Sequence, residues 1–387
     1  MKLLTTTPDE KIKSKNHLIE MSIGEYTPIA KEIINNNDLQ RRRINPSNKT
    51  YSLLKDDIKT GCVIPPLVLA VFPQDGERRI SYDESNIIQK IKEAGKDLLI
   101  LDGLQRSFTI IDLLDEIKEN NESLMKVENS ILRIEVYTCI SKVGVLYRML
   151  TLNTGQNPMS TRHQVEMIYS DYKSGFDDLT FITESENRVP TGDNEFRFGD
   201  IIDGFLSYIT GDYFPIVRED LVSIIKNLET LTKDDKQKDV FKLLITSYNI
   251  FRKRIAEISN DWIFDQESIK LIKKQFANNV NEIFSKVQMI AGFGAAVSFL
   301  IENKLIKDIE ELISLIAKIK SDNIENSLNI LIGYLDEIQV NAKKIGNEQR
   351  LFFYYLVRNI FNNTSEGYLD FNLSVPKAYQ FYKANLL

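Results

Sequence analysis

Asp102, Gln105, Arg106, Ser107 and Thr109 lie close together, where the apolar pattern of the chain changes period. Leu98-Leu99-Ile100-Leu101 reads as a short strand buried on both faces. Asp102-Gly103 breaks it, because glycine accepts backbone angles that other residues avoid. Phe108, Ile110, Ile111, Leu114 and Ile117 then recur at helical spacing, with Asp112, Asp115 and Glu116 opposite. The pattern predicts a strand, a tight turn and a helix that opens on Gln105, Arg106, Ser107 and Thr109. A helix start carries free N–H groups and the positive end of the dipole. An amide, an arginine and hydroxyls at that place make an anion site best suited to phosphate. The same residues also suit a plain strand-to-helix cap, and both readings stand. Arg106 is expected on the polar side of the helix, where shortening it would open no core cavity.

Two further stretches join this one. Leu152-Asn153-Thr154-Gly155-Gln156-Asn157-Pro158-Met159-Ser160 is a polar turn with backbone N–H groups and short amides. It suits a second wall of a phosphate pocket, or a tight turn that caps a helix starting at Ser160. Upstream, Gln40-Arg41 precedes a helical pattern and then Ile64-Pro65-Pro66-Leu67-Val68-Leu69. Asp102-Gly103-Leu104-Gln105-Arg106 resembles the Asp-Gly-Gln-Gln-Arg motif of the DUF262 family, within the ParB/sulfiredoxin-like superfamily. The stretch from Leu152 to Ser160 resembles that family's second signature, and Gln40-Arg41 with Ile64 to Leu69 fits its weaker first element. Order and spacing agree over about the first half of the chain. Leu104 stands where the family has its first Gln, and Gln156 where it has its second Gly. The related DGQHR proteins carry a His that position 105 lacks.

The resemblance implies a nucleotide-binding protein, with a Mg²⁺-dependent nucleoside triphosphatase as its catalytic form. It would work in DNA metabolism or in defence against foreign DNA, including phage. By resemblance, Arg106 grips phosphate, Gln105 bonds a phosphate or positions a water, and Asp102 orients the turn or holds Mg²⁺. Gly103, Ser107, Thr109, Asn153, Thr154, Gly155 and Gln156 would complete the nucleotide site. The alternative is a non-catalytic DNA-binding or regulatory module with a vestigial pocket. A third is a nuclease built on carboxylates and metal.

Composition narrows the field. The 387 residues are 43% hydrophobic and 27% charged, which is ordinary for a globular protein. The net charge of −6 gives no global argument for nucleic acid. Arg41-Arg42-Arg43 is a local basic cluster, either a solvated loop or a contact to phosphate of a nucleotide or DNA. His17 and His163 are the only histidines, so an HNH nuclease, a zinc deaminase and a histidine metalloprotease are unsupported. Gly-x-x-x-x-Gly-Lys-Ser/Thr and Gly-x-Ser-x-Gly are both missing. Cys62 and Cys139 read as reduced, buried thiols of a cytoplasmic protein. There is no apolar run of membrane-spanning length.

The expected architecture is an α+β domain over 1–195, a ParB/sulfiredoxin-like mixed sheet with helices, followed by an all-α domain over 196–387. Residues 1–19 read as irregular, an arm or a first strand, and 183–199 as a polar loop between the halves. Beyond about residue 200 the periodicity is helical throughout. That domain is expected to supply interaction surface, for a second copy or a partner protein of a defence system. Ala291-Gly292-Phe293-Gly294-Ala295-Ala296 fits a close helix–helix contact better than a phosphate loop. Asp200 and Asp203 could supply an acidic pair for a metal, or a helix cap.

Overall fold

The computed structural model describes residues 1–36, 49–72, 86–119, 124–152, 165–167, 169–176, 178–186, 188–215, 235–260, 262–264 and 275–385. The described residues of one unit lie within Met1–Ser160. Those of the other lie within Thr161–Leu221 and Thr230–Leu387.

The first unit is organised on a five-stranded mixed sheet. Its strands are β1 (Lys2–Asp9), β2 (Ser14–Ser22), β3 (Leu67–Val71), β4 (Leu98–Asp102) and β5 (Ile131–Thr138). Their order is β1-β2-β5-β3-β4, and only the β3–β5 pair is parallel. The continuous apolar runs of β3 and β4 are the interior strands in burial, with Leu67 to Val71 and Leu98 to Leu101 all buried. β5 alternates instead, sending Leu132, Ile134 and Val136 into the core. Residues 1–19 are more regular than their composition suggests, since β1 and β2 form a hairpin. β1 is an edge strand that keeps most of its side chains in solvent, so it shows little apolar alternation and tolerates Pro8. His17 on β2 is fully buried, and its two ring nitrogens bond the hydroxyls of Thr6 and Thr138, each at 2.9 Å.

Among the described residues six helices accompany the sheet: α1 (Ile23–Asn36), α2 (Lys49–Thr60), α3 (Ile87–Glu93), α4 (Leu104–Glu119), α5 (Leu124–Glu128) and α6 (Lys142–Leu152). Tyr26, Ala30 and Ile33 of α1 join Ile110, Leu113, Leu114 and Ile117 of α4 in one core with the inward face of the sheet.

The described residues of the second unit are mainly helical, with a short parallel pair, β6 (Thr180–Ile182) and β7 (Glu195–Arg197). Its helices are α7 (Phe198–Thr210), α8 (Asp235–Ile258), α9 (Val280–Phe284), α10 (Val287–Glu302), α11 (Ile309–Ile316), α12 (Ile324–Asn341), α13 (Ile345–Phe361) and α14 (Phe371–Ala384). The stretch 183–199 is therefore not all loop: it holds β7 and the first residues of α7. Beyond Arg197 the described residues form only isolated bridges, Ile263 with Asn279 and Lys320 with Asp370. Residues 216–234 of the stretch with helical periodicity lie outside the described residues.

α10 runs through the middle of this unit, packed on α7 and α13. Its small residues explain how. A Cβ added at Gly294 would lie 2.0 Å from the Gly204 carbonyl oxygen, and one at Gly292 would lie 2.7 Å from Phe353 Cβ. The backbones touch, as the small-residue run implies. Asp203 is engaged in an ion pair. Arg350 donates to both Asp203 oxygens, at 3.4 and 2.5 Å, while Asp200 is buried in the first turn of α7. No described helix is long and apolar enough to cross a membrane.

Candidate active site at the strand-to-helix turn

β4 ends at Asp102 and α4 begins at Leu104, so the turn is a single residue, Gly103. Gly103 has φ +94°, in the left-handed region, and a Cβ there would meet Leu67 Cδ2 at 2.4 Å. No other residue fits both the angle and the space. Ser107 N is the first amide of α4 to bond back along the helix, to Gly103 O at 2.8 Å. The amides of Leu104, Gln105 and Arg106 precede it and have no carbonyl one turn earlier within the helix.

Arg106 departs from its expected position. It is 8% exposed, and its guanidinium is turned inward. Nη2 donates to Asp102 Oδ2 at 2.6 Å, and Nη1 donates to Pro65 O at 2.5 Å and Pro66 O at 3.1 Å. One arginine thus ties the end of β4, the start of α4 and the Pro65-Pro66 entry to β3. Pro65 and Pro66 have no N–H and follow an extended path, which leaves their carbonyls open to such a donor. Arg106 Nε is buried and has no hydrogen-bond partner.

The hydroxyls of the first turn also face inward. Ser107 is fully buried: its Oγ donates to Gly103 O at 3.0 Å and lies 2.6 Å from the Tyr26 hydroxyl. Burial pushes the Tyr26 phenol up to about 12, against the opposing effects of Ser107 and the Arg106 charge. Thr109 is buried and donates to Gln105 O at 2.9 Å. Leu104, which replaces a glutamine of the resembled motif, is 8% exposed and belongs to the core. Gln105 is partly exposed. The structure therefore gathers Asp102, Gly103, Arg106 and Ser107 into one bonded turn, and it leaves Gln105 and Asp102 partly exposed.

Asn153, Thr154, Gly155 and Gln156 lie outside the described residues, as do Arg41, Arg42, Arg43, Arg162 and His163. The helix that leads to the second signature is described. α6 ends at Leu152, one residue before Asn153, and packs against β4. Among the described residues no group of three or more His, Cys, Asp or Glu gathers as metal ligands would. The expectation of two buried thiols is corrected: Cys62 is exposed in the turn after α2, Cys139 is half-buried, and neither forms a disulfide.

A second polar centre lies in the other unit and carries no sequence motif. Glu166 is 6% exposed. Its Oε1 accepts the Gly199 amide at the start of α7 at 3.0 Å, and its Oε2 accepts the Glu184 amide at 2.9 Å. It therefore fills the anion position of that helix from a distant part of the chain. Burial raises its carboxyl above the ordinary range, against the pull of the two amides. Glu195 is the opposite case. The Thr191 amide, the Arg188 guanidinium and the Gly192 amide hold its carboxyl down at about 2. The Glu166 centre could not be read from spacing, because its partners are backbone amides 18 and 33 residues away.

Compared with protein-family models, with curated proteins and with solved structures, the chain matches none, so its resemblance to the DUF262 family rests on the short signatures alone.

Proposed function

We propose that the first unit is a ParB/sulfiredoxin-like domain of the DUF262 type that binds a nucleoside triphosphate at the β4–α4 turn. The observation that carries this reading is the turn itself. A strand buried on both faces opens, through one left-handed glycine, straight into the N-terminus of a 16-residue helix. The N-terminal end of that helix, with its dipole and its first-turn amides pointing outward, favours a phosphate there. Arg106 adds its charge beneath the turn while Asp102 and the two proline carbonyls hold it in place. Gln105 supplies a side-chain hydrogen bond. By resemblance, the second signature, Asn153 to Gln156, would supply the second wall. In support, α6 is 11 residues long and rises about 16 Å. Asp102 pairs with Val68, which pairs with Glu135, only three residues before the end of β5 where the chain leaves for α6. The helix is thus long enough to return to the level of the turn.

Mg²⁺ would arrive with the phosphates. It needs few protein ligands, and Asp102 Oδ1, the oxygen not bonded to Arg106, is the carboxylate atom for it. The engagement of Arg106 favours binding over hydrolysis, because its η nitrogens are committed to the chain and not to a developing charge. The second reading, a non-catalytic regulatory or DNA-binding module, therefore stands on that observation. By resemblance the setting is DNA metabolism or defence against foreign DNA, with the helical unit as the surface for a second copy or a partner. The test is a thermal-shift screen of nucleoside triphosphates with and without Mg²⁺. A ligand at 100 times its Kd stabilises by about 2.7 kcal/mol. A flat response to every nucleotide would overturn the reading.

A further inference from the structure

The helical unit holds a cavity of about 140 Å³ lined by Glu166, Ile182, Thr183, Glu184, Val189 and Arg197, with Arg188 beside them. Its charges are unevenly settled. Arg188 is neutralised: Nη1 donates to both Glu195 oxygens, at 2.8 and 2.9 Å, and Glu186 lies 3.6 Å from Nε. Glu166 is not. Its carboxylate is buried and bonded by two neutral amides, and among the described residues no cation pairs with it. Each of its oxygens keeps a further lone pair. Lys173 acts on Glu166 only at longer range than an ion pair and Glu184 opposes it, so the buried charge is incompletely compensated. Arg197 is exposed at the cavity wall, and among the described residues no carboxylate pairs with it. One cavity thus presents an anion and a cation that do not pair with each other, with Ile182 and Val189 as apolar wall between polar groups.

We propose that this cavity binds a small free α-amino acid, its ammonium directed to Glu166, its carboxylate to Arg197 and its side chain against Ile182 and Val189. The volume is that of about four or five waters, which suits glycine, alanine, serine or threonine. A phosphate does not fit the charge, since Glu166 and Glu184 both line the cavity. A divalent metal does not fit either, as the described residues offer no cluster of three ligands. This inference is independent of the nucleotide reading and rests on the other unit.

The experiment uses the full chain. Calorimetry and melting curves are recorded with glycine, L-alanine, L-serine, L-threonine and L-valine. N-acetyl-L-alanine, which lacks the ammonium, and L-alaninamide, which lacks the carboxylate, serve as controls. At least one free amino acid should bind and raise Tm, and each control should bind at least tenfold more weakly than alanine. Arg197→Ala removes an exposed guanidinium and should leave the unliganded melting curve in place while weakening binding at least tenfold. Glu166→Gln takes an acceptor from Gly199 or Glu184, so it tests folding as well as binding, and Arg197→Ala is the decisive variant. Absence of binding by all five amino acids, equal binding of the controls, or parental affinity in Arg197→Ala would each overturn the proposal.

Discussion

Arg106→Ala is expected to lower the stability of the sheet unit, not merely to remove a ligand contact. The guanidinium makes three hydrogen bonds, at 2.5, 2.6 and 3.1 Å, one of them to a carboxylate. Taken singly, hydrogen bonds to a charged group contribute about 1.5–3 kcal/mol each. They do not add in full here, because Asp102 keeps 17% side-chain exposure and water can reach it once the arginine is gone. Breaking a buried pair from one side costs about 3–5 kcal/mol, and partial exposure sets the expectation near the lower end, about 3 kcal/mol. For a unit of this size that is a fall in Tm of roughly 6–12 °C. Urea unfolding followed by circular dichroism reads the loss as a shift in midpoint at constant slope. Asp102→Ala should be less than additive with Arg106→Ala, by more than about 1 kcal/mol, since both remove the same bond. Arg106→Lys should fall between, because an ammonium cannot reach the carboxylate and both carbonyls as a planar fork does. A loss under about 1 kcal/mol for Arg106→Ala, or strict additivity with Asp102→Ala, would refute the clasp.

Gly294→Ala should prevent normal packing of the helical unit, since its Cβ would fall 2.0 Å from the Gly204 carbonyl oxygen. Gly333→Ala on α12, with nothing within 4 Å, should instead stabilise it by about 0.4–1 kcal/mol, and the two melting curves check both signs. Carboxyl-resolved NMR should find Glu195 titrating near 2 and Glu166 above the ordinary value of 4.5. The signs differ: Glu195 supports the fold above the ordinary value and loses that support as pH falls toward 2. Glu166 holds its proton more tightly folded than unfolded, so its ionisation opposes stability as pH rises from 4.5 through its raised midpoint. Reversed positions for the two groups would contradict these environments. Leu104→Gln restores the resembled motif but buries an amide in the core. It should cost about 1–3 kcal/mol and confer no phosphate release; a gain in hydrolysis without loss of stability would place residue 104 at the ligand.

The strand-to-helix turn was legible because three independent signals coincide there: four apolar residues, an Asp-Gly break and a helical repeat. β1 was legible only as one of two options, an arm or a first strand, because an edge strand with most side chains in solvent leaves Thr5-Thr6-Thr7 with no alternation to detect. Arg106 shows a different limit. An arginine at a helix start has the same sequence signature whether its fork meets a phosphate or two proline carbonyls, since backbone acceptors leave no residue type behind. Burial decides between the two, and burial of position 106 depends on β3, about 40 residues upstream. Glu166, capping α7 from before β6, and the Asp203–Arg350 pair are hidden for the same reason. The close packing of α10 was readable, because small residues at Gly292 and Gly294 have few uses in a helix other than letting backbones meet.

The central claim is that a nucleotide's phosphate sits on the amides that open α4, and Gln105→Glu tests it most directly. Gln105 is partly exposed in the first turn, where a carboxylate favours the helix dipole by about 0.3–1 kcal/mol and so leaves the fold sound. The same charge repels a phosphate at that place. Isothermal titration calorimetry with the nucleotide that stabilises the parent most should show at least a tenfold loss of affinity in Gln105→Glu, with an unchanged or higher Tm. Parental affinity in that variant would contradict the account and leave the turn as a clasp that positions β3, β4 and α4.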